Sequence, residues 1–202
     1  QQQITIPKSV VSIGAGAFYN SNISTLKFEN GSKLVSMYGG CGADCGYGTF
    51  YDNNLTSVTI PKSVEYIDEN AFSSNKLASV NFESNSKLKY IGKSGFSGNQ
   101  LTDITIPSTT ETIGEYAFSG NKLTTVKFED GSKLKTIDNC AFKDNQLTNT
   151  GLGKLPSSLT RLSTNAFNGN SSLTQITLTS PTDIDGWTNG STVDGKTVVY
   201  ER

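Results

Sequence analysis

The chain has 202 residues, 34% hydrophobic and 17% charged, with 17 Lys plus Arg against 18 Asp plus Glu and a formal net charge of −1. That balance supplies no basic field for nucleic acid or anionic membrane, and no apolar run reaches the roughly 20 residues of a membrane helix. There is no His, which removes the commonest general base near neutral pH and the commonest metal ligand.

Read in chain order, one unit recurs. The opening Gln1-Gln2-Gln3-Ile4 has neither a basic nor an apolar leader, and the first repeat begins mid-pattern. The chain is therefore expected to be a piece of a longer protein. The second repeat, from Ile23 to Asn54, carries eight more residues than its 24-residue sisters. The surplus is a Gly-rich insertion near residues 38–48, with Tyr38, Cys41, Cys45 and Tyr47. It reads either as a tolerated surface bulge or as a functional loop.

From Leu55 the pattern is regular. Leu55, Leu77, Leu101, Leu123 and Leu147 follow one another at 22, 24, 22 and 24 residues, so two repeat types alternate. Each unit opens with an apolar/polar alternation such as Val58-Thr59-Ile60, a strand signal. Pro61 or Glu83 ends it, and a second apolar pair follows, Val64 with Ile67 or Leu88 with Ile91. Each unit then reaches a Phe: Phe18, Phe50, Phe72, Phe96, Phe118, Phe142 and Phe167. Asn75, Asn99, Asn121 and Asn145 stand two residues before the next Leu, where Asn tolerates left-handed backbone and can satisfy free backbone groups. A unit this short cannot bury its own apolar positions, but stacked units can. The expectation is a solenoid over residues 1–180, about eight repeats long, with parallel strands and a file of stacked Phe rings.

The seventh repeat stretches through Thr148-Asn149-Thr150-Gly151, and the eighth begins normally at Leu173 and then departs. Residues 181–202, with Trp187 and an Asp194-Gly195 turn before a β-branched run, read as a C-terminal cap. Trp187 is expected to be a lid on the core, and Cys140 a free, partly buried thiol.

The strings LTDITIPSTTETIGEYAF from Leu101 to Phe118 and LTSVTIPKSVEYIDENAF from Leu55 to Phe72 resemble the BspA-like, or Treponema-type, leucine-rich repeat over roughly residues 4 to 180. The resemblance implies a right-handed, curved α/β leucine-rich-repeat solenoid with a parallel sheet on its concave side and short helical or 3-10 turns. It implies an extracellular protein, secreted or displayed on a bacterial surface, that adheres to host matrix proteins such as fibronectin or fibrinogen. The family brings no catalytic motif. One departure is that many family repeats carry Cys shortly after Ala-Phe, where this chain has Asn75, Asn99, Asn121 and Asn145.

Cys41 and Cys45 lie four apart, with Gly42 and Gly46 free to turn the backbone. In an exported chain they are expected to pair as a disulfide. No phosphate cradle, Ser-His-Asp set or zinc-ligand set can be assembled, so no enzyme, cofactor or metal is expected. On the concave strands the outward residues Lys27, Thr59, Asn81, Thr105 and Lys127 are candidates for partner contact, and Tyr38 and Tyr47 are candidates for loop contact. The sequence reading is a monomeric, non-catalytic adhesion module for a host matrix or cell-surface protein. A structural spacer displaying another domain is the alternative and glycan binding a weaker one, with no nucleic acid and no membrane insertion.

Overall fold

The computed structural model describes residues 2–39 and 46–202 as a strand-rich parallel solenoid of about nine turns. Most turns give one longer and one two-residue strand. In order these are β1 (Gln2–Ile6) and β2 (Ser12–Ile13), β3 (Ile23–Phe28) and β4 (Ser36–Met37), β5 (Ser57–Ile60) and β6 (Tyr66–Ile67), β7 (Ser79–Phe82) and β8 (Tyr90–Ile91), β9 (Asp103–Ile106) and β10 (Thr112–Ile113), and β11 (Thr125–Phe128) and β12 (Thr136–Ile137). The seventh turn replaces its long strand with a single helical turn, α1 (Asn149–Leu152), capped by the Thr148 hydroxyl, before β13 (Arg161–Leu162). Then come β14 (Gln175–Leu178), β15 (Thr192–Val193) and β16 (Lys196–Tyr200). Among the described residues α1 is the only helix, so the expected helical or 3-10 turns give way to plain turns in every other repeat.

The two-residue strands form the continuous sheet: β2, β4, β6, β8, β10, β12 and β13 pair in parallel without a gap. The longer strands, expected to make one unbroken sheet, instead pair two by two, as β1 with β3, β5 with β7, and β9 with β11. Proline explains the interruption. At each closed junction the residue after the strand donates back: Glu29, Glu83 and Glu129 N–H to the carbonyls of Ile6, Ile60 and Ile106. At the next junction the equivalent donors would be Pro61 and Pro107, which have no N–H. The Glu side chains reinforce the closed junctions, because Glu29, Glu83 and Glu129 accept from the N–H of Lys8, Lys62 and Ser108 at 2.8–3.0 Å.

The core is one continuous apolar column. Phe50, Phe72, Phe96, Phe118 and Phe142 are fully buried and Phe167 nearly so. With Phe18 they stack in one file, centroids 5.3–5.6 Å apart and ring planes within 18°. Beside it runs a ladder of buried Asn side chains, Asn53, Asn75, Asn99, Asn121, Asn145 and Asn170. Each donates to the Phe carbonyls of its own and the preceding turn; Asn121, for instance, reaches Phe118 and Phe96 at 3.1 and 2.9 Å. Its Oδ1 accepts from the apolar residue that opens the turn, here Leu101 N–H at 3.1 Å. None of the six takes the left-handed conformation. That role falls one residue earlier, to Asp52, Ser74, Gly98, Gly120, Asp144 and Gly169, so of the two properties expected of Asn, only its hydrogen bonding is used here.

After Leu178 the chain turns back through a β15–β16 hairpin that joins β14 as a three-stranded sheet. Trp187 is 1% exposed over the end of the core, and its Nε1–H donates to the Leu162 carbonyl at 2.8 Å. Cys140 is free and buried.

Candidate functional site

Two surfaces of the solenoid offer side chains to a partner. The first is the long-strand face. The register sets Thr59 opposite Asn81 and Thr105 opposite Lys127 as exposed cross-strand pairs, while Lys27 faces Thr5 on the first ribbon. The sequence-predicted contact residues of this face thus lie on three separate two-stranded ribbons.

Between the ribbons lie grooves. One, about 390 Å³, runs between β3 and β5 and includes Lys27, Phe28, Glu29, Thr59, Pro61 and Glu83 in its lining. A second, about 120 Å³, repeats this between β7 and β9 with Phe82, Glu83, Pro107 and Glu129. A third, about 210 Å³, follows β11 with Phe128, Glu129, Lys154 and Pro156. Phe28, Phe82 and Phe128 are only half-buried, unlike the Ile residues that take their place in the other repeat type. From the sequence this face looks free of aromatics, because these Phe occupy inward positions. They reach solvent only because the ladder opens at the prolines.

The second surface lies on and beside the two-residue strands of the first three turns. Among the described residues the exposed large apolar side chains are Val11, Tyr38, Tyr47 and Tyr66, at 54%, 48%, 43% and 39%. Val35 N–H donates to Val11, Tyr38 N–H to Ile13 and Tyr66 N–H to Val35, so Val11, Tyr38 and Tyr66 stand on three successive turns. Tyr47 lies across Tyr19, centroids 4.1 Å apart, and Tyr19 stacks on Tyr51 at 5.5 Å. Burial raises the Tyr19 phenol pKa, with Tyr47 and Asp52 adding to the effect. Burial also raises the Asp68 carboxyl and the Tyr90 phenol, the latter with help from Asp68 and Asp138.

The base of the insertion is tightly built. A Cβ on Gly39 would lie 1.7 Å from the Glu69 carbonyl oxygen, and one on Gly48 2.1 Å from Asn70 carbonyl atoms. Gly39 and Gly48 therefore pack against adjacent positions of the next turn. The buried Thr49 hydroxyl closes the base by donating to the Tyr38 carbonyl at 2.8 Å, and the Asn70 amide donates to the Gly46 carbonyl at 2.8 Å. The Tyr19, Tyr51 and Tyr66 contributions went unread in the sequence, although Tyr19 and Tyr51 both directly follow a file Phe. The expected Cys41–Cys45 disulfide falls outside the described residues. Among the described residues no group of three or more His, Cys, Asp or Glu is placed to hold a metal ion. No helix among them is long and apolar enough to cross a membrane.

Against known proteins, the model of the BspA-type leucine-rich repeat region matches in six copies, over residues 1–93 and 89–188. No curated protein matches the chain. Among solved structures it is similar to the pneumococcal vaccine antigen PcpA, with 27% identity and a TM-score of 0.65 over 87% of this chain and 44% of that one. It is also similar in fold to a leucine-rich cell surface protein from Faecalibacterium prausnitzii A2-165, with 24% identity and a TM-score of 0.54 over 90% of this chain and 48% of that one. The chain spans less than half the length of either.

Proposed function

We infer that this chain, which belongs to the BspA-type leucine-rich-repeat family, is a non-catalytic protein-binding module displayed at a bacterial surface, where it contacts a host matrix or cell-surface protein. One observation carries the reading: the exposed large apolar side chains gather on the first three turns around the insertion, and three of the four are Tyr. Exposed apolar groups collected in one place mark interaction surfaces, and Tyr is enriched in protein interfaces. The rigid base at Gly39, Gly48 and Thr49 holds this surface in place before a partner arrives, which lowers the ordering cost of binding. Surface display is supported by the pneumococcal relative, a vaccine antigen.

The test is surface plasmon resonance of the immobilised chain against fibronectin and fibrinogen. Binding is expected to fall about tenfold or more in the Tyr38→Ser/Tyr66→Ser variant, a loss of at least ~1.4 kcal/mol. It should change little in Lys27→Ala/Lys127→Ala or with added salt. Binding that survives the Tyr changes but is lost with the Lys changes would move the contact to the long-strand face. No binding to either protein would defeat the host-matrix reading.

A further inference from the structure

We propose that the long-strand face is a binding site for a neutral, linear β-1,4-linked polysaccharide. The site consists of the three grooves already described, two of them between successive strand pairs and the third between β11 and the turn that carries α1. Each has a half-buried Phe in its lining: Phe28, Phe82 or Phe128. Each has the proline of the following repeat in its wall: Pro61, Pro107 or Pro156. A strand-end Glu, Glu29, Glu83 or Glu129, lines each one. The paired strands between successive grooves form ridges topped by Thr59 with Asn81 and by Thr105 with Lys127. Ridge and groove therefore alternate with a period of two solenoid turns.

That period selects the ligand. Two turns advance ~9.6 Å where the strands stay hydrogen-bonded, in the unbroken sheet of two-residue strands, which is close to the length of two β-1,4-linked pyranose rings. In such a chain each ring is flipped relative to the last, so the same face recurs at every second ring. A glycan lying along the stack presents an apolar C–H face to each Phe in turn. Its intervening ring crosses a ridge, where the Thr, Asn and Lys side chains meet its hydroxyls. Sugar rings are amphipathic in the way these grooves require, apolar on the face and hydrogen-bonding at the edge. The charge on the face disfavours a polyanion: Glu29 and Glu83 line the first groove, Glu83, Asp103 and Glu129 the second and Glu129 the third, with Lys27 and Lys154 in only two of them, so a run of carboxylates or sulfates would meet like charge at every groove. The glycan site is separate from the Tyr surface, and either can stand without the other.

Isothermal calorimetry on the whole chain tests this with cellohexaose, chitohexaose, their disaccharides and a hyaluronan hexasaccharide. One of the two neutral hexasaccharides is expected to bind, with its disaccharide at least about tenfold weaker because it fills one groove instead of three. Phe82→Leu keeps apolar bulk but removes the aromatic face, and it should weaken the hexasaccharide about tenfold while far-UV circular dichroism shows the solenoid still folded. Tyr38→Ser/Tyr66→Ser should leave this binding intact. The proposal is overturned if neither neutral hexasaccharide binds at millimolar concentration, if disaccharide and hexasaccharide bind alike, if Phe82→Leu binds as well as the native chain, or if hyaluronan binds more tightly than both.

Discussion

The Asn ladder makes its sharpest forecast through which groups are left without a partner when one rung is cut. In Asn121→Ala three hydrogen bonds disappear, but the groups left behind fare differently. The carbonyl of Phe96 keeps Asn99 and that of Phe118 keeps Asn145. Only the Leu101 N–H, buried and bound to Asn121 Oδ1 alone, is orphaned. An orphaned buried donor costs ~1–3 kcal/mol, and each bond lost to a still-satisfied carbonyl costs ~0.5–1.5 kcal/mol, so the variant should lose ~2–6 kcal/mol. Asn170 is the last rung. Its removal strands both the Leu147 N–H and the Phe167 carbonyl, which no further Asn serves. Asn170→Ala should therefore cost ~0.5–1.5 kcal/mol more than Asn121→Ala. Urea unfolding followed by far-UV circular dichroism gives both values, with the slope checked for unchanged cooperativity. A loss below about 1 kcal/mol for Asn121→Ala, or an Asn170→Ala that costs less than Asn121→Ala, would refute the reasoning that polar satisfaction holds the turns together.

Two further outcomes are expected. Phe118→Ala removes a fully buried ring stacked at 5.5 and 5.4 Å on both sides and should cost ~3–5 kcal/mol in the same titration. Asp68, whose carboxyl burial raises, holds its proton more tightly folded than unfolded. Its protonated form favours the fold at low pH, and that advantage is lost as pH rises through the folded-state value. Asp68→Asn should thus be more stable than the native chain near neutral pH, with the difference shrinking below the ordinary carboxylate range. Urea midpoints across that interval measure it.

Much of the architecture was legible in the residues because burial repeats. A Leu every 22 or 24 residues and a Phe at a fixed offset can be satisfied only if successive copies stack, and Phe72, Phe96 and Phe118 do lie in one file. The Asn positions were equally visible, and with them two candidate roles, of which only the hydrogen bonding is used. Whether an Asn supplies a left-handed angle or a side-chain bridge depends on its neighbour, and Gly98, Gly120 and Asp144 take the strained angle instead.

What the sequence by itself determined is periodicity: which positions face inward, how long each turn is, and where the pattern fails, at the insertion and beyond Leu178. Only the tertiary structure decided what happens between turns. The same Ile-Pro signature that marks a repeat also withholds a donor from the turn before it, so the long strands close in pairs and open at every second junction. Through those openings Phe28, Phe82 and Phe128 reach the surface. Likewise Tyr19, Tyr47 and Tyr51, up to 32 residues apart in the chain, meet only because stacking makes distant positions neighbours. Inward or outward is a property of one strand and can be read along it, whereas pairing and exposure belong to two strands at once and exist only when both are in place.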